Sequence, residues 1–214
     1  INGVDSQKTG GLFEVFHCVA FSPSDVELVS GSPDKRRSFM DLCACQLRPS
    51  SMQQVSRANL LLSQRNAAIV NVNRGRGRKN DILLWDEQLA RTGAFLSCMR
   101  ANYVKSLAPL CQELYSTMTG GGEELQIRYR SAVYGTEDLP ERPTPELVEL
   151  YRAKLEEHLT EDLRLGYTVR GLQRDELTMH IDGNAVNSVE VIMGSASVLC
   201  RVCWASTRRG DTRA

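Results

Sequence analysis

The stretch from Asp81 to Met118 constrains this chain more than any other. Ile82, Trp85, Leu89, Leu96, Met99, Tyr103, Leu107, Leu110 and Leu114 recur at a mostly three–four spacing. That is the seam of one long amphipathic helix, which needs other helices to pack against. Asp81 is the expected N-cap, and the run Gly120-Gly121-Gly122 the expected stop. Unbroken, such a helix is about 55 Å long at 1.5 Å per residue. Gly93 is its expected weak point and Pro109 its expected kink.

Helical patterning also dominates before this stretch. A short helix is expected at "VELV", after the Ser24-Asp25 pair. Another runs from Pro33 to about Leu47, with Ser32 as cap, and stops at Pro49. A third starts at Ser50 or Ser51 and continues to about Val72, carried by Val55, Leu61, Leu62, Ala68 and Ile69. "NRGRGRKN", residues 73–80, then breaks the pattern. After Pro143, Thr144-Pro145-Glu146 opens a charged helix to about Leu165, with Gly166 as its stop.

Strand signals lie towards the two ends. "LFEVFHCVAF" at 12–21 is apolar and β-prone, and "LQIRYRSAVY" at 125–134 alternates in polarity. "YTVRG" and "LTMHI" read as further strands, with Asp182-Gly183 as a hairpin turn. Strand, long helical insertion, strand: the fold class is α+β or α/β, with a helical lobe inserted between β pieces that belong together.

Chemistry is harder to place. Of the 214 residues, 26 are Lys or Arg and 26 Asp or Glu. Zero net charge argues against a wholesale polyanion binder, yet leaves room for a local basic face. The seven cysteines form only two close pairs, Cys43-x-Cys45 and Cys200-x-x-Cys203, and no histidine completes a four-ligand zinc set. Reduced, buried thiols are the expectation. No apolar run approaches a membrane span. The chain has no G-x-x-x-x-G-K-[ST] loop, no nucleophile-elbow serine and no H-E-x-x-H. His17, His158 and His180 are isolated. The chain therefore carries no complete active site. Ile1-Asn2-Gly3 reads like the end of a strand entering a turn, so an internal piece of a longer protein is expected.

The informative residues are arginines at element ends. They are Arg36 and Arg37, Arg65 in "SQRNAA", Arg74, Arg76 and Arg78 in the 73–80 loop, and Arg174 in "GLQRDEL". A guanidinium suits carboxylate and phosphate alike, because it donates in a planar fork. Two readings stay open at each position: an internal salt bridge or brace, and contact with the phosphates of a nucleic acid. Arg174 has Asp175 and Glu176 beside it, which favours the first.

Five stretches together resemble the RecF family of DNA replication and repair proteins, in the Rad50/SMC-like branch of ABC-type ATPases. They are "VAFSPSDVELVSGSPDKRRSFMD", "NLLLSQRNAAI", "WDEQLARTGA", "IRYRSAV" and "DLRLGYTVRGLQRDELTMHIDG". The likeness covers about residues 1–187 in this order and spacing. It implies a P-loop ATPase head with a helical arm domain inserted: head at 1–30, arm at 31–165, return strands of the head at 166–187. It implies ATP and Mg2+ as cofactors, ATP-driven homodimers, and a cytoplasmic protein without a membrane role. It implies binding to DNA at gaps and single-strand/double-strand junctions, with RecO and RecR as partners in loading recombinase. Within it, Arg36 and Arg37 sit where the chain leaves the head for the arm, as a brace or as DNA contacts.

The chain also departs from that pattern. Leu172-Gln173 replaces the family's Pro-His, and Glu176 its last Asp, while Arg174-Asp175 remains. The phosphate loop, signature and metal-binding Asp segment have no counterpart here. The 188–214 tail, "VEVIMGSASVLCRVCWASTRRGDTRA" with the residues before it, is expected to be frameshifted or degenerate. The family is a slow ATPase, and this chain is expected to be inactive alone. Two other readings stand beside this one: a helical protein-interaction module using the 81–118 seam, and a non-functional gene fragment.

Overall fold

A computed structural model describes residues 27–186. The strand expected at 12–21 and the 188–214 tail lie outside the described residues. The order is α1 (Glu27–Ser30), α2 (Pro33–Leu47), α3 (Ser51–Asn73), α4 (Lys79–Thr119), β1 (Leu125–Arg130), α5 (Pro145–Glu157), α6 (Leu159–Leu165), a 3-10 turn (Leu172–Arg174), β2 (Glu176–Ile181) and β3 (Asn184–Ala185). The class is α+β.

Local chemistry accounts for most of these boundaries. Pro33 and Pro145 stand at the starts of α2 and α5, where a missing N–H costs nothing. The Thr144 hydroxyl accepts from Leu147 N at 3.4 Å and caps α5. Helix α4 runs unbroken for 41 residues, through both Gly93 and Pro109. It starts at Lys79, two residues before the expected cap. Asp81 instead reaches back to accept Arg78 N at 2.7 Å, as the third helical residue does in a capping box.

Three expected elements differ. The charged helix breaks at His158 into α5 and α6. Strand β1 stops at Arg130, because the buried Ser131 hydroxyl accepts from both Val133 N and Tyr134 N and turns the chain. "YTVRG" is not a strand: its amides bond to side chains, Thr168 N to Asn66 Oδ1 and Val169 N to Asp162 Oδ1, each at 2.8 Å.

The described residues fall into two compact units. One holds 27–52, 103–129 and 177–186. Its sheet has the order β1-β2-β3. β1 and β2 run antiparallel, with Asp182 N donating to Glu124 O at 3.0 Å and Thr178 Oγ1 to Arg128 O at 3.5 Å. The expected hairpin joins β2 to β3, pairing Ile181 with Asn184. Both of its turn residues have positive φ, 48° at Asp182 and 79° at Gly183. Met40, Cys43, Ala44 and Cys45 of α2 are buried, as are Tyr103, Leu107, Cys111 and Tyr115 of α4 and Leu125, Ile127 and Tyr129 of β1.

The other unit holds 53–102 and 130–176. The α3 and α4 helices form an antiparallel hairpin here, zipped by Ala68, Ile69 and Ile82 with Val72 and Trp85. Leu159 and Leu163 of α6 close over that cluster. Helix α5 approaches α4 closely at Gly93, where a Cβ would lie 2.4 Å from the Tyr151 ring. Tyr151 is fully buried, stacks edge-on with Tyr134, and accepts Leu172 N at 3.0 Å.

Candidate functional site

Arg65 lies on the α3 face turned towards α4 and α6, and none of it reaches solvent. Its guanidinium is fully engaged. Nε donates to Asp86 Oδ1 at 2.6 Å, and Nη1 to Asp162 Oδ2 at 2.5 Å and Thr168 Oγ1 at 2.8 Å. Nη2 reaches Leu155 O at 3.5 Å. One side chain thus joins α3, α4, α5, α6 and the turn after α6. Removing one partner from such a buried pair typically costs about 3–5 kcal/mol. A phosphate at the surface finds no donor at Arg65, so this arginine holds the unit together from inside.

Thr168 extends the cluster, since its hydroxyl also donates to Asn66 Oδ1 at 2.7 Å. Burial pushes the Asp86 carboxyl above the usual carboxylate range, with the Arg65 charge pulling the other way. A second buried pair lies in the same unit. Arg100 Nη1 donates to Asp175 Oδ2 at 2.8 Å and Leu172 O at 2.7 Å, while Asp175 Oδ1 accepts Ala132 N at 2.9 Å. Sequence reasoning had placed Asp175 beside Arg174, its neighbour in the chain, and missed Arg100, which is 75 residues away.

The other candidate arginines stand apart from these clusters. Arg36 Nη1 donates to Gly31 O at 2.9 Å and Val29 O at 3.4 Å, tying the start of α2 to the end of α1. Arg37 pairs with Asp34 at 2.6 Å. Arg174 is exposed, with its guanidinium carbon 5.8 Å from the centre of the Tyr167 ring. Arg74, Arg76 and Arg78 are exposed on the loop between α3 and α4, with Lys79 next to them. None of these three arginine side chains meets a carboxylate among the described residues. The one acid in that turn, Asp81, is occupied by Arg78 N. Of the candidate residues, only Arg74, Arg76 and Arg78 share one loop; Arg65 is buried, and Arg36, Arg37 and Arg174 lie on other elements. The structure separates buried or locally bonded arginines from a free basic tip.

No group of three His, Cys, Asp or Glu side chains among the described residues is placed to hold an ion. The four described cysteines, Cys43, Cys45, Cys98 and Cys111, are buried and form no disulfide, and burial raises Cys98 to about 11. No helix among the described residues is long and apolar enough to cross a membrane.

These features define an α+β chain whose helical unit is locked by buried arginine–aspartate clusters, and that fold is found among known structures. A structure described as the recombination mediator protein RecF-ATPrS in the RecFOR pathway matches with TM-score 0.89 at 24% identity. The match covers 98% of this chain and 56% of that one. A second, of RecF-ATP in the same pathway, matches with TM-score 0.83 over 91% and 52%. No protein-family model matches the chain. In sequence, it is 35% identical over 182 residues to the DNA replication and repair protein RecF of Rippkaea orientalis, covering 80% of this chain and 47% of that protein. The RecF of Desulforamulus reducens is 31% identical over 183 residues, 86% of this chain and 48% of that protein. The chain belongs to the RecF family, and it spans about half the length of the curated relatives it matches.

Proposed function

We propose that this chain is part of a DNA-repair ATPase of the RecF kind. In this reading the whole protein binds gapped DNA and single-strand/double-strand junctions in an ATP-dependent way, as a homodimer in the cytoplasm. It uses ATP with Mg2+ and acts with RecO and RecR to load recombinase. The likeness along most of the chain to proteins named for DNA replication and repair supports this. The unit of 53–102 and 130–176 is then the arm, which starts later than the 31–165 span the sequence suggests, leaves out 103–129 and runs on to 176.

One observation carries the DNA part for this chain: three exposed arginines with no carboxylate partner, Arg74, Arg76 and Arg78, crowded on one five-residue turn with Lys79 next to it at the start of α4. Free basic groups at a helix-hairpin tip suit phosphates, which are bound by charge and without sequence preference. Arg36 and Arg37 serve in this reading as local braces.

Salt dependence tests it. Binding of the 214-residue chain to a single-strand/double-strand junction oligonucleotide should weaken with salt, log affinity falling by roughly 0.9 per phosphate contact for each unit of log salt. Replacing Arg74, Arg76 and Arg78 by Ala should flatten that slope by roughly 2.7. An unchanged slope overturns the tip as the contact, and absence of DNA binding overturns the reading for this chain.

A further inference from the structure

Tyr167 is the only aromatic among the large hydrophobic residues that stand exposed in the described part of the chain; 41% of it faces solvent. Aromatic rings usually go inside or find a partner. This one is held outside by anchors on both sides. Before it, Gly166 N donates to Asp162 O at 2.8 Å and closes α6. After it, Thr168 is buried and bound to Asn66 through both its amide and its hydroxyl, while the same hydroxyl accepts from Arg65. A residue fixed at both neighbours cannot turn its ring into the core.

The cation beside the ring is mounted just as firmly. Gln173 Nε2 donates to Thr168 O at 3.0 Å, and Arg174 N to Gly171 O at 2.9 Å. These bonds fix the backbone from which Arg174 reaches over the Tyr167 ring. Arg164 and Arg170 flank the ring in sequence, both exposed. Arg164 meets Glu161 only at 3.9 Å, and Arg170 Nε lies 3.3 Å from His158 Nε2. The end of α6 is tied to the end of α3 by Asn73 Nδ2, which donates to Leu163 O at 2.6 Å. Asn73 directly precedes Arg74, so this bond links the helix that leads to the ring with the helix that leads to the basic tip, within one unit.

We propose that Tyr167 and Arg174 form a stacking shelf for an unpaired nucleobase of single-stranded DNA, with Arg164 and Arg170 meeting the neighbouring phosphates. A ring with a cation beside it offers a π-face and a positive charge, the pairing by which proteins hold single strands without reading sequence. A duplex does not suit the shelf, because its base faces are already covered by their neighbours. The shelf rests on the DNA-binding reading above and adds to it a preference for the unpaired strand; the tip arginines supply phosphate contact to either form.

The test uses fluorescence anisotropy on the 214-residue chain with three labelled ligands of equal length: a thymidine strand, a duplex, and an abasic strand with the same phosphates. The abasic strand should bind roughly five- to a hundred-and-fifty-fold more weakly than the thymidine strand, the range one stacked base is worth. Tyr167→Ala should lower thymidine-strand affinity by a similar factor, leave the duplex and abasic strand unchanged, and leave the circular dichroism melt unmoved. Tyr167→Phe should bind like the parent chain. Equal affinity for thymidine and abasic strands overturns the shelf and leaves the DNA reading standing. So does a Tyr167→Ala loss shared equally with the duplex. Failure of the parent chain to bind any of the three ligands overturns both.

Discussion

Arg65 sets one positive charge against two buried carboxylates, so the cluster is one negative charge in excess. The two acids are not equivalent. Asp162 has both oxygens bonded, to Arg65 and to Val169 N. Asp86 Oδ2 is buried without a hydrogen-bond partner. Asp86 faces Arg65 from α3, Asp162 from α6 and Glu156 from α5, and burial lifts its carboxyl most, against the pull of Arg65. A carboxyl raised in the folded state contributes stability that is complete below its unfolded value, about 3.9, and lost as pH rises through its folded value. Urea midpoints of the parent chain and Asp86→Asn, compared from pH 4 to pH 8, should show the parent losing ground to the variant as pH rises. A constant gap would place the proton elsewhere. The sequence singled out Arg65 as one of several arginines at element ends. It could not say which were buried, because Asp86, Asp162 and Thr168 stand 21, 97 and 103 residues away. The "QRN", "WD" and "GYT" stretches that carried the family likeness are the ones that meet there.

At the scale of elements, Gly93 shows a propensity rule overruled by packing. Alanine suits a helix better than glycine by about 1 kcal/mol. A Cβ at Gly93 would nevertheless lie 2.4 Å from the Tyr151 ring, which is fully buried and fixed through its hydroxyl to Leu172 N. Overpacking of this kind costs about 1–3 kcal/mol, and a rigid ring is at the upper end. Gly93→Ala should therefore destabilise the chain by about 1–2 kcal/mol, read as a lower urea midpoint; a rise would mean that the ring gives way freely. The elements most legible in the sequence were those ended by local chemistry: Pro33, Thr144-Pro145, Gly166, the Asp182-Gly183 turn. Boundaries set by reach-back bonds were not, as with Asp81 bonding to Arg78 N or Ser131 turning the chain after β1. "YTVRG" has the composition of a strand, but its amides are claimed by side chains of α3 and α6, which no local pattern reveals.

At the scale of the whole molecule, the chain passes between its two compact units four times, after Met52, Asn102, Tyr129 and Glu176. Within the unit of 53–102 and 130–176, the α3–α4 turn contributes little to cohesion, since Ala68, Ile69, Ile82, Leu159 and Leu163 and the Arg65 cluster bind the helices below it. A site-specific protease sequence inserted after Gly75 and then cut should leave two pieces that elute together in buffer and part only in denaturant. Pieces that part in buffer would show that the turn, not the core, holds the helices. The run of helices from α1 to α5 and the β2–β3 hairpin could be read from the sequence; the unit boundaries could not, because one of them falls inside the unbroken helix α4.

The 103 residues between Arg65 and Thr168 also have a meaning in time. At a synthesis rate of 5–20 residues per second, roughly 5–20 s separate their appearance. For most of that interval Arg65 has only Asp86 to meet, a neutral couple that α3 and α4 can form unaided. Asp162 and Thr168 arrive last, as the bolt on a hairpin already made. A ribosome stalled just before them would hold a nascent hairpin with its arginine half-satisfied and its apolar seam still open.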